Sequence, residues 1–419
     1  MPETKKKIWI SISLIWVIMF MAFPFSIPQA LNLPAKFIMT AGTAVLTVGI
    51  LINLQRIKLN SSIVFIFLFQ ILTAFVYFFA HSDAAYINLL FQVVVPMILY
   101  IYFSNFMKLE TLTGSFIKIM MVMGLLSSIC FLLAVTINLP YYSAFKNPDG
   151  REAYNFIISF TNTLVDFGSA KFIRPAGYFD EPGTLAFYIL IAILLNDLTI
   201  NNKKFRIILM ITGLFTFSIA FYLILAFYSL FYFSKKNFIR MFVGSLLISI
   251  IVFSVYLQLD SVNQNIIYGS SIGRLESIID PASASDNYQA DNRTDLIRTA
   301  IDAFVDSPLI GQGLSYASDE KSRFYGTFMS ANFLGNFGIH GFFGGIIFSL
   351  HVFYYIFICF RKKNWLTVPQ KSCLIYLLLL LQRPDYIGGV LTYVSVTLLI
   401  LTSLNFKNVT KNIDYNRSL

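Results

Sequence analysis

The sequence predicts an all-α polytopic membrane protein, a transmembrane helical bundle of about twelve spans with two large loops on one side. Three observations lead there. The 419 residues are 57% hydrophobic and only 12% charged, with 44 Phe. Apolar runs of helix-spanning length recur along the whole chain. The basic residues gather between alternate runs. The net charge of +10 therefore reads as membrane topology, and no nucleic-acid partner is expected.

The basic clusters order the elements. Lys5, Lys6 and Lys7, then Arg56 and Lys58, Lys108 and Lys118, Lys203, Lys204 and Arg206, Lys235, Lys236 and Arg240, Arg361, Lys362 and Lys363, and finally Lys407 and Lys411 mark the cytoplasmic side. Both termini then lie inside. The first run, 8–30, is too long and lacks a small-residue cleavage site for a signal peptide, so it is the first span. Others are predicted at about 35–54, 62–80, 85–105, 114–138, 184–200, 241–258, 327–360, 366–382 and 386–405.

The stretch 207–233 has basic clusters on both flanks but is only long enough for one comfortable crossing. Parity requires zero or two passes, so two short helices meeting near Thr216-Phe217-Ser218 are expected, with the bend buried in protein. The run 327–360 is overlong, and Gly335, Gly338 and Gly341 mark its first part as a broken or tilted lead-in.

Two loops on the external side, 139–183 and 259–326, hold the polar chemistry. Cys130, Cys359 and Cys373 lie in or beside apolar runs without paired spacing, and His81, His340 and His351 are scattered. Neither a disulfide framework nor a metal site is implied. No cofactor motif is present, neither GxxxxGK[ST] nor GxSxG.

The first loop closes with Arg174-Pro175-Ala176-Gly177-Tyr178-Phe179-Asp180-Glu181-Pro182-Gly183. Arg174 lies on the side that otherwise avoids cations. Pro175 biases it toward extended backbone, and Pro182 suits a helix start. An extended strap running into a helix N-terminus makes an anion site, where a guanidinium fork, backbone N–H groups and the positive helix end meet one phosphate or diphosphate. Pairing of Arg174 with Asp180 or Glu181 to pin the loop is the alternative. Glu181 and Asp180 suit a general base for a hydroxyl, and equally an N-terminal cap, with Glu181 preferred.

In the second loop, 292–304 reads as an amphipathic helix with Ile297, Ile301 and Phe304 on one side. Arg293 opens it and lies about 140° around the helix from Arg298. Arg298 has Asp295 and Asp302 at helical spacing, so a surface ion pair competes with an anion-binding role. Pro308-Leu309-Ile310-Gly311-Gln312-Gly313 follows as a tight turn whose glycines let backbone approach a ligand or a neighbouring helix. His340, in the glycine-rich run beyond, suits proton transfer, phosphate binding or a structural hydrogen bond. Arg383, in the last external turn Gln382-Arg383-Pro384-Asp385, suits a substrate contact or snorkelling to headgroups.

The order of these parts resembles the Wzy-type O-antigen polymerases of the O-antigen ligase and polymerase superfamily. The resemblance rests on Arg-x-x-Gly-x-Phe-x-Glu-Pro at 174–182, a short helical pair with Ser218, Arg293 opening a helix, and Asp306-Ser307-Pro308-Leu309-Ile310-Gly311-Gln312-Gly313 before a Gly-rich span. It covers roughly 165–350 at motif level and implies a GT-C-like helical fold in the bacterial inner membrane. Such proteins join undecaprenyl-diphosphate-linked oligosaccharides on the periplasmic face without metal or nucleotide sugar, among membrane lipids and with a chain-length regulator as a further partner. The resemblance makes Arg174 and Arg293 the residues that hold the lipid diphosphate; the reading of the residues themselves adds Arg298 and Arg383 as further diphosphate candidates and Glu181, Asp180 and His340 as catalytic ones. Ligase-like members carry a His-Asn pair after the second loop, where this chain has Ala331-Asn332. Transfer of finished glycan to a lipid A core is the alternative within the superfamily; a flippase or a non-catalytic scaffold lies outside it.

Overall fold

A computed structural model describes residues 3–21, 35–52, 55, 57–137, 139–146, 152–166, 171–179, 181–232, 257, 261, 264, 293–318, 334–361, 367–382 and 390–417. The predicted span 241–258 and most of the loop 259–326 lie outside them. Among the described residues, five helices precede the first large loop: α1 (Glu3–Met21), α2 (Ala35–Ile52), α3 (Ser61–His81), α4 (Ala85–Phe106) and α5 (Leu109–Thr136). After it come α6 (Pro182–Leu198), α7 (Lys203–Leu214), α8 (Ile219–Tyr232), α9 (Arg293–Asp306) and α10 (Leu314–Ser318), then α11 (Gly335–Phe348), α12 (Leu350–Phe360), α13 (Val368–Gln382) and α14 (Val390–Arg417). Among the described residues, α3, α4 and α5 are long and apolar enough to cross a membrane, and the pair α11 and α12, bent by 41°, makes a fourth if it counts as one span. The expectation of about twelve passes rests in part on segments outside the described residues.

The all-α class needs one correction. The first loop holds a four-stranded antiparallel sheet, β1 (Ser143–Lys146), β2 (Glu152–Asn155), β3 (Phe160–Asp166) and β4 (Lys171–Gly177), in simple meander order. Its strands are too short to show as apolar runs, but they are rich in aromatic and β-branched residues, and Asn147-Pro148-Asp149-Gly150 between β1 and β2 is a turn sequence. Pro175 fits because β4 is an edge strand, and it faces Thr161 beside a register shift.

The centre of the bundle is α6, which is buried from Thr184 to its end and apolar all round apart from Asn196 and Asp197 near that end, which are buried too. It packs against α5, α7, α8, α13 and α14, and its N-terminal end meets β4.

The short helical pair is present as expected. At about 1.5 Å per residue, α7 and α8 are about 18 and 21 Å long, short of a hydrocarbon core of about 30 Å. Asn202 caps α7, accepting from the amides of Lys204 and Phe205. Asp197, at the end of α6, binds Arg206 in the first turn of α7 and accepts from the Tyr228 hydroxyl, late in α8, at 2.6 Å. The last turns of α8 thus return to the end of the bundle where α7 began. Gly213 makes the fold-back possible, since a Cβ there would lie 2.0 Å from the Phe221 ring. The Tyr222 hydroxyl donates to the Leu214 carbonyl at 2.8 Å, which also accepts from Phe217 N in the bend, so both sides of the hairpin meet at that oxygen.

The predicted lead-in is broken at Gly341, whose φ of 65° lies inside α11. The 308–313 turn crosses it backbone to backbone: Gln312 N and Gly313 N donate to Gly338 O and Ile339 O, and Phe342 N donates to Pro308 O at 2.8 Å. A Cβ on Gly311 would stand 2.3 Å from Ile339 O, and one on Gly341 2.4 Å from the Leu309 carbonyl carbon. The glycines of the turn therefore admit a neighbouring helix. The expected apolar face of α9 is met in part: Phe304 has a ring contact to Phe337 of α11 at 6.5 Å. Ala300 and Ala303 pack on Ile339, while Ile297 and Ile301 are exposed. A glycine-rich helix accepts small residues at close range more readily than branched ones.

Candidate functional site

Arg174 lies in β4, opposite Asn162 of β3, and is 5% exposed. Its Nε donates to the carbonyl of Thr216 at 3.1 Å, so the last strand of the sheet meets the bend of the α7–α8 hairpin. Phe131, in the last turns of α5, brackets that bend with ring contacts to Phe215 and Phe217 at 6.3 and 5.3 Å. Tyr222 also lies within electrostatic reach of the Arg174 charge. The extended backbone expected from Pro175 is what carries the guanidinium to this junction.

The chain between Arg174 and α6 is tightly held. Gly177 has φ of 64°, and a Cβ there would meet Met123 and Leu185 at 3.2 and 3.3 Å, so only glycine turns the strand downward here. Phe179 is buried and stacks on Tyr188 of α6 at 5.1 Å. Pro182 occupies the first turn of α6, and Glu181 stands at the N-cap position without a side-chain capping bond. The capping role weighed for Glu181 is thus not the one its carboxylate performs. Asp180 and Arg383 lie outside the described residues.

Arg293 is the first residue of α9, as expected, but its side chain lies outside the described residues. Arg298 is exposed, and among the described residues it forms no ion pair with Asp302. The side chain of Asp295, the other partner expected from spacing, lies outside the described residues.

His340 belongs to a separate cluster. It is buried on α11, with Nδ1 3.1 Å from the Tyr86 hydroxyl and its ring against Tyr77, Tyr86 and Phe348. The Tyr77 hydroxyl donates to the His340 carbonyl and accepts from Gly344 N, bridging the break in α11. Among the described residues His340 and Arg174 share no hydrogen bond or ring contact.

Beside this cluster, sequence reasoning missed Asp83. In the turn between α3 and α4 it accepts from the Ser315 amide at 2.7 Å, the Ser315 hydroxyl at 2.6 Å and the Ala85 amide at 2.8 Å. Burial pushes the carboxyl up, but the hydrogen bonds from Ser315 and Ala85 outweigh it and hold it below the usual carboxylate value. His81 contacts the Ile310 carbonyl at 3.0 Å. This turn fastens the 308–315 segment to α3 and α4. No local pattern signals a contact to a residue so distant in the chain.

Residues 205–349 match the model of the Wzy_C family, described as O-antigen ligase. The matched segment runs from α7 to the bend after α11. It contains the hairpin, α9 and the glycine turn, whereas Arg174 and Glu181 precede it. No curated protein matches the chain.

Proposed function

From the Wzy_C domain carried at 205–349, which accords with the O-antigen polymerase and ligase superfamily, we propose that this membrane protein is the polymerase. It joins undecaprenyl-diphosphate-linked oligosaccharide repeats on the periplasmic face of the bacterial inner membrane, on a GT-C-like helical fold with both termini cytoplasmic. The observation that carries the reading is the junction of Arg174 with Thr216. It brings the guanidinium of the preceding loop, already suited to a diphosphate, onto the hairpin that opens the family domain.

In this reading Arg174 and Arg293 hold the donor diphosphate, and Arg383 adds a further contact. The acceptor sugar hydroxyl attacks the donor anomeric carbon, and the bond from that carbon to the diphosphate oxygen breaks. Undecaprenyl diphosphate leaves with the bonding electron pair, and the guanidiniums stabilise the charge it gathers. Glu181, or Asp180 beside it, takes the hydroxyl proton. His340 is assigned a structural role in this reading, held in the bundle interior against Tyr86 of α4. Arg298, exposed on α9, reads as a surface cation. Membrane lipids surround the bundle, and a chain-length regulator is a further partner.

One observation favours a second reading: the matched family is described as O-antigen ligase. Against it stands Ala331 where ligase-like members carry histidine. Deletion of the gene separates the two. Loss of a polymerase leaves a single repeat on the lipid A core. A bare core with lipid-linked polymer accumulating would identify the ligase, and lipid-linked repeats confined to the cytoplasmic leaflet would identify a flippase.

A further inference from the structure

The turn joining β2 to β3 carries isoleucines where water-facing hairpins carry Asn, Asp or Gly. Ile157 and Ile158 are 67% and 37% exposed. Ile157 has φ of 70°, in the left-handed region that a β-branched residue enters only under strain. The turn is tightly closed nonetheless. Ile158 N donates to Phe156 O at 2.8 Å, Phe156 N to Ser159 O at 3.0 Å, and Ile157 N to the Asn155 side chain at 2.8 Å. Two apolar side chains are therefore held outward on a fixed tip.

The sheet topology says where that tip points. Phe160, which opens β3, faces Gly177, the residue from which β4 turns into α6, and Ser143, where β1 arrives from α5, faces Asn155. The tip thus leaves the sheet at the end where the chain enters the bundle. Its depth follows from Tyr154 and Phe156, which cluster with Cys130 of α5, with Ala134, Leu139 and Ile173 packed against them. At that height α5 exposes Ile129, Leu132 and Leu133, and Ile137 at its C-cap is exposed as well. These form the outward face of a helix long and apolar enough to span a membrane. Tyr141 and Tyr142 are exposed beside them, the aromatic type found where a protein meets lipid headgroups.

We infer that Ile157 and Ile158 insert into the acyl-chain edge of the leaflet on the sheet side, making the β2–β3 tip a membrane anchor for the sheet. The occupant is lipid because the tip continues the exposed apolar face of α5 at the same height. The anchor sets the depth of β3, and through it of β4 and Arg174. It depends on the fold alone and holds whichever glycan reaction the protein performs.

The test is spin labelling of the full chain in lipid nanodiscs at Ile157→Cys and, separately, Ile158→Cys, with Lys146→Cys at the far end of the sheet as reference. The native cysteines are buried, and the unsubstituted protein supplies their background. Collisions with oxygen, which partitions into lipid, are compared with those of a water-soluble nickel chelate. The expected result is a positive oxygen-over-nickel depth parameter at both isoleucine positions and a negative one at Lys146→Cys. Nickel collisions dominating at both positions would place the tip in water and overturn the inference. Exclusion of both reagents would mean that protein covers the tip, which also overturns it. Either position alone suffices if the other variant does not fold.

Discussion

Arg174 and Thr216 lie 42 residues apart, yet the guanidinium Nε donates to the Thr216 carbonyl at 3.1 Å. The acceptor belongs to the bend of a hairpin that crosses only part of the bundle, and the donor belongs to the edge strand of a sheet. Fixing Nε fixes the plane of the guanidinium, so the orientation of the fork depends on where the bend stands. The bend is set in turn by Asp197 at the opposite end of the hairpin.

Tyr228→Phe tests that base. It removes a hydrogen bond to a carboxylate that also binds Arg206, worth about 1.5–3 kcal/mol for a bond to a charged group. A clear fall in the thermal midpoint of the purified protein is expected. An unchanged midpoint would mean that Asp197 does not staple the hairpin.

The crossing of the 308–313 turn over α11 gives a second prediction. Gly311→Ala and Gly341→Ala each put a methyl within 2.5 Å of fixed backbone and impose left-handed φ on alanine. Both variants should lose most of their folded protein in the membrane, read by fluorescence-detected size exclusion. Gly114→Ala meets only the tip of the Ile200 side chain at 3.3 Å and should keep near-normal levels. Equal loss in all three would dissolve the argument from backbone contact.

Asp83 predicts a pH dependence. Its carboxyl is held below its ordinary value by Ser315 and Ala85, so the deprotonated form is the one the fold favours. The stabilisation is fully present above the unfolded carboxylate value, about 3.9, and is lost as pH falls through the lower folded value. Protection of 308–318 against hydrogen exchange, taken relative to the intrinsic rate at each pH, should therefore fall at acid pH in the wild type. In Asp83→Asn it should already be lower at neutral pH and less responsive to acid. An identical acid response in the two proteins would remove Asp83 as the fastener.

Much of this arrangement was legible in the residues. The break at 215–218 followed from parity, because two basic flanks and one span's length of apolar sequence leave a paired half-crossing as the consistent solution. The extended strap at Arg174 followed from Pro175, and the interruption at Gly341 from the glycine spacing. The sheet was not legible as apolar periodicity because its strands are four to seven residues long and half of their faces are polar. The packing side of α9 was legible only at Phe304, because hydrophobicity favours the isoleucines, whereas the partner helix, rich in glycine, takes the alanines. The contacts of Asp83 and Asp197 had no signal at all, since a carboxylate's partner in a distant helix leaves no local pattern.

In the proposed reaction Arg174 acts on the donor diphosphate as a planar fork. Lysine keeps the charge and loses the bidentate geometry. The decisive measurement is polymer formation from purified lipid-linked repeat units by Arg174→Lys, with Arg293→Lys alongside and exposed Arg298→Lys as the comparison. The expected result is at least a roughly tenfold fall for each of the first two, equal to about 1.4 kcal/mol of transition-state stabilisation, at normal protein level, with Arg298→Lys nearly silent. Near wild-type polymer from Arg174→Lys and Arg293→Lys would contradict it and leave these arginines as struts of the loops.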